Sequence, residues 1–364
     1  MVKALQYVKD LQVYKPGKPI KELERELGIC DCIKMASNEN PAGPSPKAMA
    51  AISGFLQDMM ELRRYPDGSC FYLKQALSRK FTFGGIGAKP DNFIIGNGSN
   101  ELLNMVVRTY VGPGDEAVMS ENSFVVYSMS VKSVGGVARP IPQQNYTSDL
   151  SAMADAVNKR TKIVFVANPN NPTGTISHKA EFDTFMKRIP DGVLVVMDEA
   201  YHEYVSDSDY PDSLDYYDAG RDILILRTFS KAYGLAGLRV GYGIAKEEII
   251  EDMNRLREPF NCNALAQVAA VGALEDEEHL RNSLALNERG KEFLYRELSA
   301  MGVKYVPTEA NFIYLPLETD AVPLYNALLG KGVIVRPVGP KALRVTVGTE
   351  YKNMRFIKGL KEVL

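Results

Sequence analysis

The sequence predicts an α/β protein: a mostly parallel sheet between layers of helix, joined to a smaller α+β unit. Three observations carry this. From about residue 91 to residue 245, seven short apolar runs alternate with stretches of helical character. The runs are mostly continuous in apolar residues rather than apolar at every second residue, the pattern of strands covered on both faces. After residue 246 the texture changes to charged helices and shorter strands, the mixture of an α+β layout.

The seven runs, in order, are Phe93–Ile95, Ala117–Met119, Val137–Ile141, Ile163–Ala167, Val193–Met197, Ile223–Leu226 and Val240–Ile244. Between them lie helix candidates at Leu102–Tyr110, Phe124–Val134, Ser151–Lys159 and His178–Ile189, the crossovers that parallel strands require. Downstream, Lys246–Arg257 and Ala264–Leu274 read as helices, and Glu277–Met301 as a long amphipathic one. Short strands at Lys304–Val306, Phe312–Leu315, Val333–Arg336 and Ala342–Val347 surround a helix at Ala321–Leu329, and Met354–Val363 forms the last helix. No internal repeat or low-complexity segment interrupts this order.

Bulk properties exclude several classes. At 45% hydrophobic and 24% charged, the chain has the composition of a soluble globular protein, and 364 residues allow two or three domains, or one large domain with a smaller companion. A net charge of -2 gives no electrostatic basis for binding nucleic acid or an acidic membrane. No apolar run approaches the roughly 20 residues needed to cross a bilayer. The opening residues, with Lys3, Lys9 and Asp10, lack the apolar core of a secretory leader, so the cytoplasm is the expected location. Cys30, Cys32, Cys70 and Cys262 form neither a paired metal spacing nor a dense disulfide framework, and His178, His202 and His279 are scattered. Reduced thiols and no metal site are expected.

The chemistry gathers where buried strands end. Ser230-Lys231-Ala232-Tyr233-Gly234-Leu235-Ala236-Gly237-Leu238-Arg239 follows the run Ile223–Leu226, with Thr228 and Phe229 between. A lysine at such a strand end can reach into a cleft and condense with an aldehyde cofactor, and Thr228, Ser230 and Arg239 are suited to that cofactor's phosphate. Asn168-Pro169-Asn170-Asn171-Pro172-Thr173-Gly174 follows another run, Asp198-Glu199-Ala200-Tyr201 a third, and Gly96-Asn97-Gly98-Ser99-Asn100-Glu101 a fourth. Ligands bind at such strand ends in open α/β sheets. Ser99 reads as the N-cap of the helix that follows, and free backbone N–H groups at a helix start form an anion site.

Together these motifs resemble the fold-type-I pyridoxal-phosphate aminotransferases, over nearly the whole chain. The opening Val13-Tyr14-Lys15-Pro16-Gly17-Lys18-Pro19, the segments Ala36-Ser37-Asn38-Glu39-Asn40-Pro41 and Gly43-Pro44-Ser45-Pro46, and the close Leu343-Arg344-Val345-Thr346-Val347-Gly348-Thr349 are similar to the histidinol-phosphate aminotransferase family. The resemblance implies a seven-stranded large domain at residues 35–260 and a small domain at 261–364 joined by the N-terminal segment 1–34. It implies pyridoxal 5'-phosphate as cofactor and transamination of L-histidinol phosphate with 2-oxoglutarate as activity.

It also assigns roles. Lys231 carries the cofactor and moves the substrate proton. Asp198 faces the ring nitrogen, Tyr201 and Asn171 the phenolic oxygen, and Phe124 the ring face. Gly98, Ser99, Asn100, Thr228, Ser230 and Arg239 surround the phosphate. Asn100 departs from the acidic residue usual in the family, which leaves only its backbone contact implied. Tyr65, in Arg64-Tyr65-Pro66-Asp67-Gly68, matches a tyrosine that reaches across a homodimer to the other subunit's cofactor phosphate, so the active sites would be shared. Arg344, Arg336 and Tyr14 form the implied dianion pocket for substrate, with Asn38 lining the cleft. Taken singly, several of these residues have ordinary readings: Tyr201 as core, Asn171 as a turn residue, Arg336 as a surface charge. Transamination of aromatic amino acids would use nearly the same set, and a phosphothreonine-type decarboxylase of the same fold is a further alternative. A catalytically silent pyridoxal-phosphate-binding regulatory module is the alternative from another class; the complete set of Lys231, Asp198, Asn171, Tyr201 and Arg239 argues against it.

Overall fold

The structure, a computed structural model, describes residues 2–13, 17–58, 60–83, 85 and 87–364. Seven strands form the main sheet: β1 (Phe93–Gly96), β2 (Glu116–Ser120), β3 (Val137–Ile141), β4 (Thr161–Ala167), β5 (Leu194–Asp198), β6 (Ile223–Thr228) and β7 (Gly241–Ile244). Their spatial order is β1-β7-β6-β5-β4-β2-β3. All neighbours are parallel except β7, which runs antiparallel to both β1 and β6.

Both faces of this sheet are apolar for the reason the sequence suggests. On one face Val164, Val166, Val195, Met197, Ile223 and Ile225 join a core with Phe182 and Phe185. On the other, Ile163, Phe165, Leu194, Val196, Leu224 and Leu226 pack with Leu102, Val106 and Tyr127. Alternate residues of one strand thus enter different cores, so no polar face interrupts the run.

The helix Ala264–Leu274 is begun by the Asn263 side chain, which accepts the Ala266 N–H at 2.8 Å. Its alanines lie against the helix Pro46–Gln57 and belong to the first of the two sheet cores. It therefore packs with the sheet, although the sequence-based boundary at residues 260/261 assigns it to the second unit. A separate core draws Ile33 and Met35 together with Leu294, Ile313, Val333, Leu343 and Phe356. There β8 (Phe312–Pro316), β9 (Arg336–Pro337) and β10 (Ala342–Thr346) form an antiparallel sheet in the order β8-β10-β9. The early strand Ile33–Lys34 pairs in parallel with Val333–Ile334, so chain from the two ends shares one core.

Four local expectations need correction. Ser99 is the first residue of the helix Ser99–Tyr110 and not its N-cap; Gly98 holds that position at φ 79°, where a glycine is at ease. The run Val333–Arg336 is two strands in two sheets, separated at Val335. Lys304–Val306 makes only an isolated bridge, Val306 to Tyr314. The helix expected from Phe124 begins at Val126, which leaves Phe124 in the preceding turn.

Candidate active site

Because β4, β5 and β6 are adjacent and parallel, their carboxyl ends lie side by side, and the residues that follow them meet. They line a cavity of about 200 Å³. Asn171, Asp198, Tyr201, Thr228, Ser230, Lys231 and Arg239 all face it, joined by Ser99, Asn100 and Phe124 from the neighbouring strand ends. Asn38, Arg336 and Arg344 close it from the side of the small sheet. Of the rest of the sequence-based set, Gly98 does not line the cavity itself but adjoins Arg239, which does. Tyr65 stands apart, 80% exposed and stacked on Phe260 with ring centroids 4.5 Å apart. Tyr14 lies outside the described residues.

Lys231 Nζ donates to the Ser37 carbonyl at 3.0 Å and sits 5.7 Å over the Tyr201 ring. Desolvation by the surrounding protein pushes its pKa down to about 7, with Arg344 and Arg239 adding to the effect against Glu39 and Asp198. An amine with that pKa is partly neutral near pH 7 and can act as nucleophile or base.

Asp198 ends β5, and its Oδ2 accepts the Tyr127 hydroxyl at 2.6 Å. Burial raises the carboxyl above its ordinary range, although Tyr127 and the Ala200 N–H favour its ionised form. Tyr127, which matches the family segment together with Phe124, has no role in the sequence-based set. It lies three residues after Phe124, its N–H donates to the Phe124 carbonyl at 3.1 Å, and the two rings meet edge-on at 5.8 Å. Tyr127 in turn stacks on Phe165 of β4 at 4.7 Å. Ser37, Ala200 and Pro169 also line the cavity; each sits inside a motif already noted, without a side chain that would single it out.

At the other end, Gly98 has a structural duty besides its positive φ. A Cβ there would land on the Arg239 guanidinium. Without one, Arg239 lies against the first turn of the helix Ser99–Tyr110, and its Nη1 also donates to Ser230 Oγ at 3.4 Å. A guanidinium, a helix start and two hydroxyls make an anion site.

Residues 36–38 connect the site. The Ala36 carbonyl accepts from Arg344 Nη2 at 2.8 Å, the Ser37 carbonyl from Lys231, and Asn38 Nδ2 donates to the Tyr201 hydroxyl at 2.8 Å. Arg344 also donates from Nη1 to Asn171 Oδ1 at 2.6 Å, which leaves the Asn171 amide nitrogen as the end it can offer elsewhere. Strand register sets Tyr314, Arg344 and Arg336 in one row across β8, β10 and β9, so both arginines approach the cavity from neighbouring strands.

Beneath the site lies a charged pair that no motif announced. Glu199, fully buried, accepts Arg227 Nε at 2.8 Å and Ser213 Oγ at 2.6 Å. Burial alone would raise the Glu199 carboxyl, but Arg227, His202 and Ser213 outweigh it and hold it below its usual range. The pair ties the end of β5 to β6 directly under Asp198. Among the described residues, no group of three or more His, Cys, Asp or Glu side chains is placed to hold a metal ion, and no helix is long and apolar enough to cross a membrane.

This fold and this constellation define a class: the chain belongs to the class I and II aminotransferases, whose family model matches residues 30–360. Its relatives narrow the family to the histidinol-phosphate aminotransferases. It is 52% identical over its full length, and 93% of the relative's, to the histidinol-phosphate aminotransferase of Moorella thermoacetica. It is 45% identical to that of Caldicellulosiruptor saccharolyticus, over 98% of this chain and 99% of the relative. Among solved structures, the histidinol-phosphate aminotransferase of Sinorhizobium meliloti in complex with pyridoxal-5'-phosphate superposes with a TM-score of 0.89 at 27% identity, covering 100% of this chain and 98% of that one. An aspartate aminotransferase from Thermotoga maritima, at 21% identity and a TM-score of 0.87 over 99% of each chain, shares the fold.

Proposed function

We propose that this chain transaminates L-histidinol phosphate with 2-oxoglutarate, yielding imidazole acetol phosphate and L-glutamate in histidine biosynthesis, with pyridoxal 5'-phosphate as cofactor. The observation that carries it is the row of Arg344 and Arg336 beside the cavity that holds Lys231: two guanidinium groups suit a dianionic phosphate, and equally the carboxylates of 2-oxoglutarate.

The residues fit the cofactor. A buried carboxyl held above its usual pKa calls for a cation, and Asp198 would meet the ring nitrogen. The Arg239 cradle with Ser99, Asn100, Thr228 and Ser230 would take the phosphate. Asn171 and Tyr201 would hold the phenolic oxygen, and Phe124 the ring face. When bound, the cofactor supplies a reactive carbonyl and an electron-withdrawing ring that acidifies the substrate's Cα–H bond. The chain does the rest. Lys231, in its neutral form, would take the proton from the substrate's α-carbon and, as the ammonium, would deliver it on the cofactor side, the net transfer that transamination requires. Asp198 keeps the ring nitrogen protonated, and Tyr127 holds Asp198 in place. Arg344 and Arg336 fix the anionic end of the substrate, so that the α-carbon lies within reach of Lys231.

The two cores of the main sheet and the separate core around the small sheet support a two-domain chain in which the first domain closes after Leu274 and the N-terminal segment belongs with the second. Tyr65 stacks on the exposed Phe260, and Leu62, Phe71 and Tyr72, close to it in sequence, are exposed as well. Apolar surface of this kind favours burial against another molecule, and the reading here is a cytoplasmic homodimer with Tyr65 serving the other subunit's site.

The test is steady-state transamination with 2-oxoglutarate, comparing histidinol phosphate with phenylalanine and tyrosine. A kcat/KM for histidinol phosphate at least about 100-fold higher, equivalent to about 3 kcal/mol, is expected, since a phosphate dianion can pair with both arginines where the single carboxylate of the aromatic donors offers one negative charge. Equal or reversed preference would reject the phosphate pocket and move the chain to the aromatic amino acids.

A further inference from the structure

Asn38 has the left-handed backbone, with φ 55°, and is 1% exposed. It is held at both ends of its own residue. Its backbone N–H donates to Thr346 Oγ1 at 2.9 Å, and its carbonyl accepts from Asn311 Nδ2 at 3.0 Å. Thr346 Oγ1 then donates to Asn38 Oδ1 at 3.1 Å. With that oxygen engaged, the amide nitrogen is turned to Tyr201, 2.8 Å from its hydroxyl.

The directions of these bonds matter more than their number. Asn38 has only protons to offer at Nδ2, so the Tyr201 oxygen receives a hydrogen bond there and does not spend its own proton on Asn38. Thr346 lies two residues from Arg344 on β10, hence on the same face of that strand. The chain of bonds therefore runs from the strand that carries the anion-binding arginine to the phenol above Lys231.

We propose that Asn38 is a positioning residue, not a substrate ligand: held by Thr346, it makes Tyr201 a hydrogen-bond donor toward the cofactor's phenolic oxygen. This rests on the reading of the cavity as a pyridoxal-phosphate site. Donation at that oxygen stabilises its anionic form, so the pH midpoint of the bound cofactor's visible absorption band reports directly on the direction of the Tyr201 proton.

The decisive variant is Asn38→Asp. Aspartate tolerates the left-handed backbone nearly as well as asparagine, but its carboxylate can only accept. Tyr201 would then donate to residue 38 instead. The midpoint of the absorption band, titrated on purified cofactor-loaded enzyme, is expected to rise by at least about half a pH unit. Cofactor affinity, followed by fluorescence quenching of the cofactor-free protein, is expected to weaken several-fold. kcat should fall about 10-fold with KM for the amino donor changed less than about 2-fold. Tyr201→Phe should move the midpoint in the same direction. If Tyr201→Phe moves it and Asn38→Asp does not, the proposal is overturned and the site reading stands. A raised KM with an unmoved midpoint returns Asn38 to substrate binding and also overturns it. If Tyr201→Phe leaves the midpoint unchanged, the site reading itself falls, and the proposal with it. Thr346→Val, which removes both the acceptor of the Asn38 N–H and the donor to its amide oxygen, is the second variant should Asn38→Asp not fold; an upward shift supports the relay, and no shift overturns it.

Discussion

Replacing Arg227 with methionine tests the buried pair beneath the site. Arg227 is 6% exposed, and its guanidinium lies over the Phe81 ring at 5.5 Å. Methionine fills much of that space, so the cavity created is small and the main effect is electrostatic. Glu199, fully buried, loses the cation that outweighs its burial. Breaking such a pair from one side costs about 3–5 kcal/mol. With the usual unfolding entropy per residue scaled to this chain length, that lowers Tm by about 4–7 °C. The pH dependence gives a second check. In the wild type Glu199 titrates below its unfolded value, so its contribution is present above the unfolded pKa and is lost as pH falls through the folded one. In the variant burial dominates and the folded pKa lies above the unfolded value. The penalty is then complete above the folded pKa and relieved as pH falls toward the unfolded one. The gap between wild type and variant should narrow from pH 7.5 to pH 5, and Glu199→Gln added to Arg227→Met should restore part of the loss. Calorimetry at both pH values would refute the argument if the variant melts within about 1 °C of wild type, or if the gap widens in acid.

Lys231 offers a test in the cofactor-free protein. Its folded pKa of about 7 lies below the ordinary lysine value of 10.5, so the unfolded chain holds more protons between those values and stability should rise with pH across that window. Lys231→Met should remove that rise, and urea unfolding of both proteins from pH 7 to pH 10 measures it. Gly98→Ala places a side chain at φ 79° and against Arg239. It should cost about 1–3 kcal/mol of stability and weaken cofactor binding by about 10-fold or more, read by equilibrium dialysis. Mixing inactive Tyr65→Phe and Lys231→Ala proteins under verified subunit exchange should restore activity in hybrid dimers with one intact site; no recovery would count against shared sites.

Much of this was legible because strand ends concentrate polar residues against apolar runs. Asp198, Lys231 and Asn171 each follow an uninterrupted buried strand, and parallel order alone makes them neighbours. What escaped depends on packing between segments distant in sequence. Glu199 follows β5 and Arg227 lies on β6, and both read as ordinary charges until the sheet order makes them adjacent. Tyr127 counts as core until Asp198 is seen 2.6 Å away. Val333–Arg336 reads as one strand because its apolar run is continuous, yet Ile33–Lys34 takes Val333–Ile334 and β10 takes Arg336–Pro337. Ser99 has the chemistry of a cap, but the glycine before it holds the conformation that the cap position requires here.

The segment at residues 36–38 also sets an order on the making of the protein. Asn38 is separated from Thr346 by 308 positions, and contacts so far apart form late because the intervening chain must first be emitted and closed. On the ribosome, the seven-stranded sheet can condense while Ala36, Ser37 and Asn38 still wait for Arg344, Asn311 and Thr346. Nascent chains arrested near residue 300 should therefore resist protease over the sheet, yet leave the stretch around residue 36 open to cleavage. Catalytic competence would then be gained at one moment late in synthesis, when β10 emerges and captures the beginning of the chain.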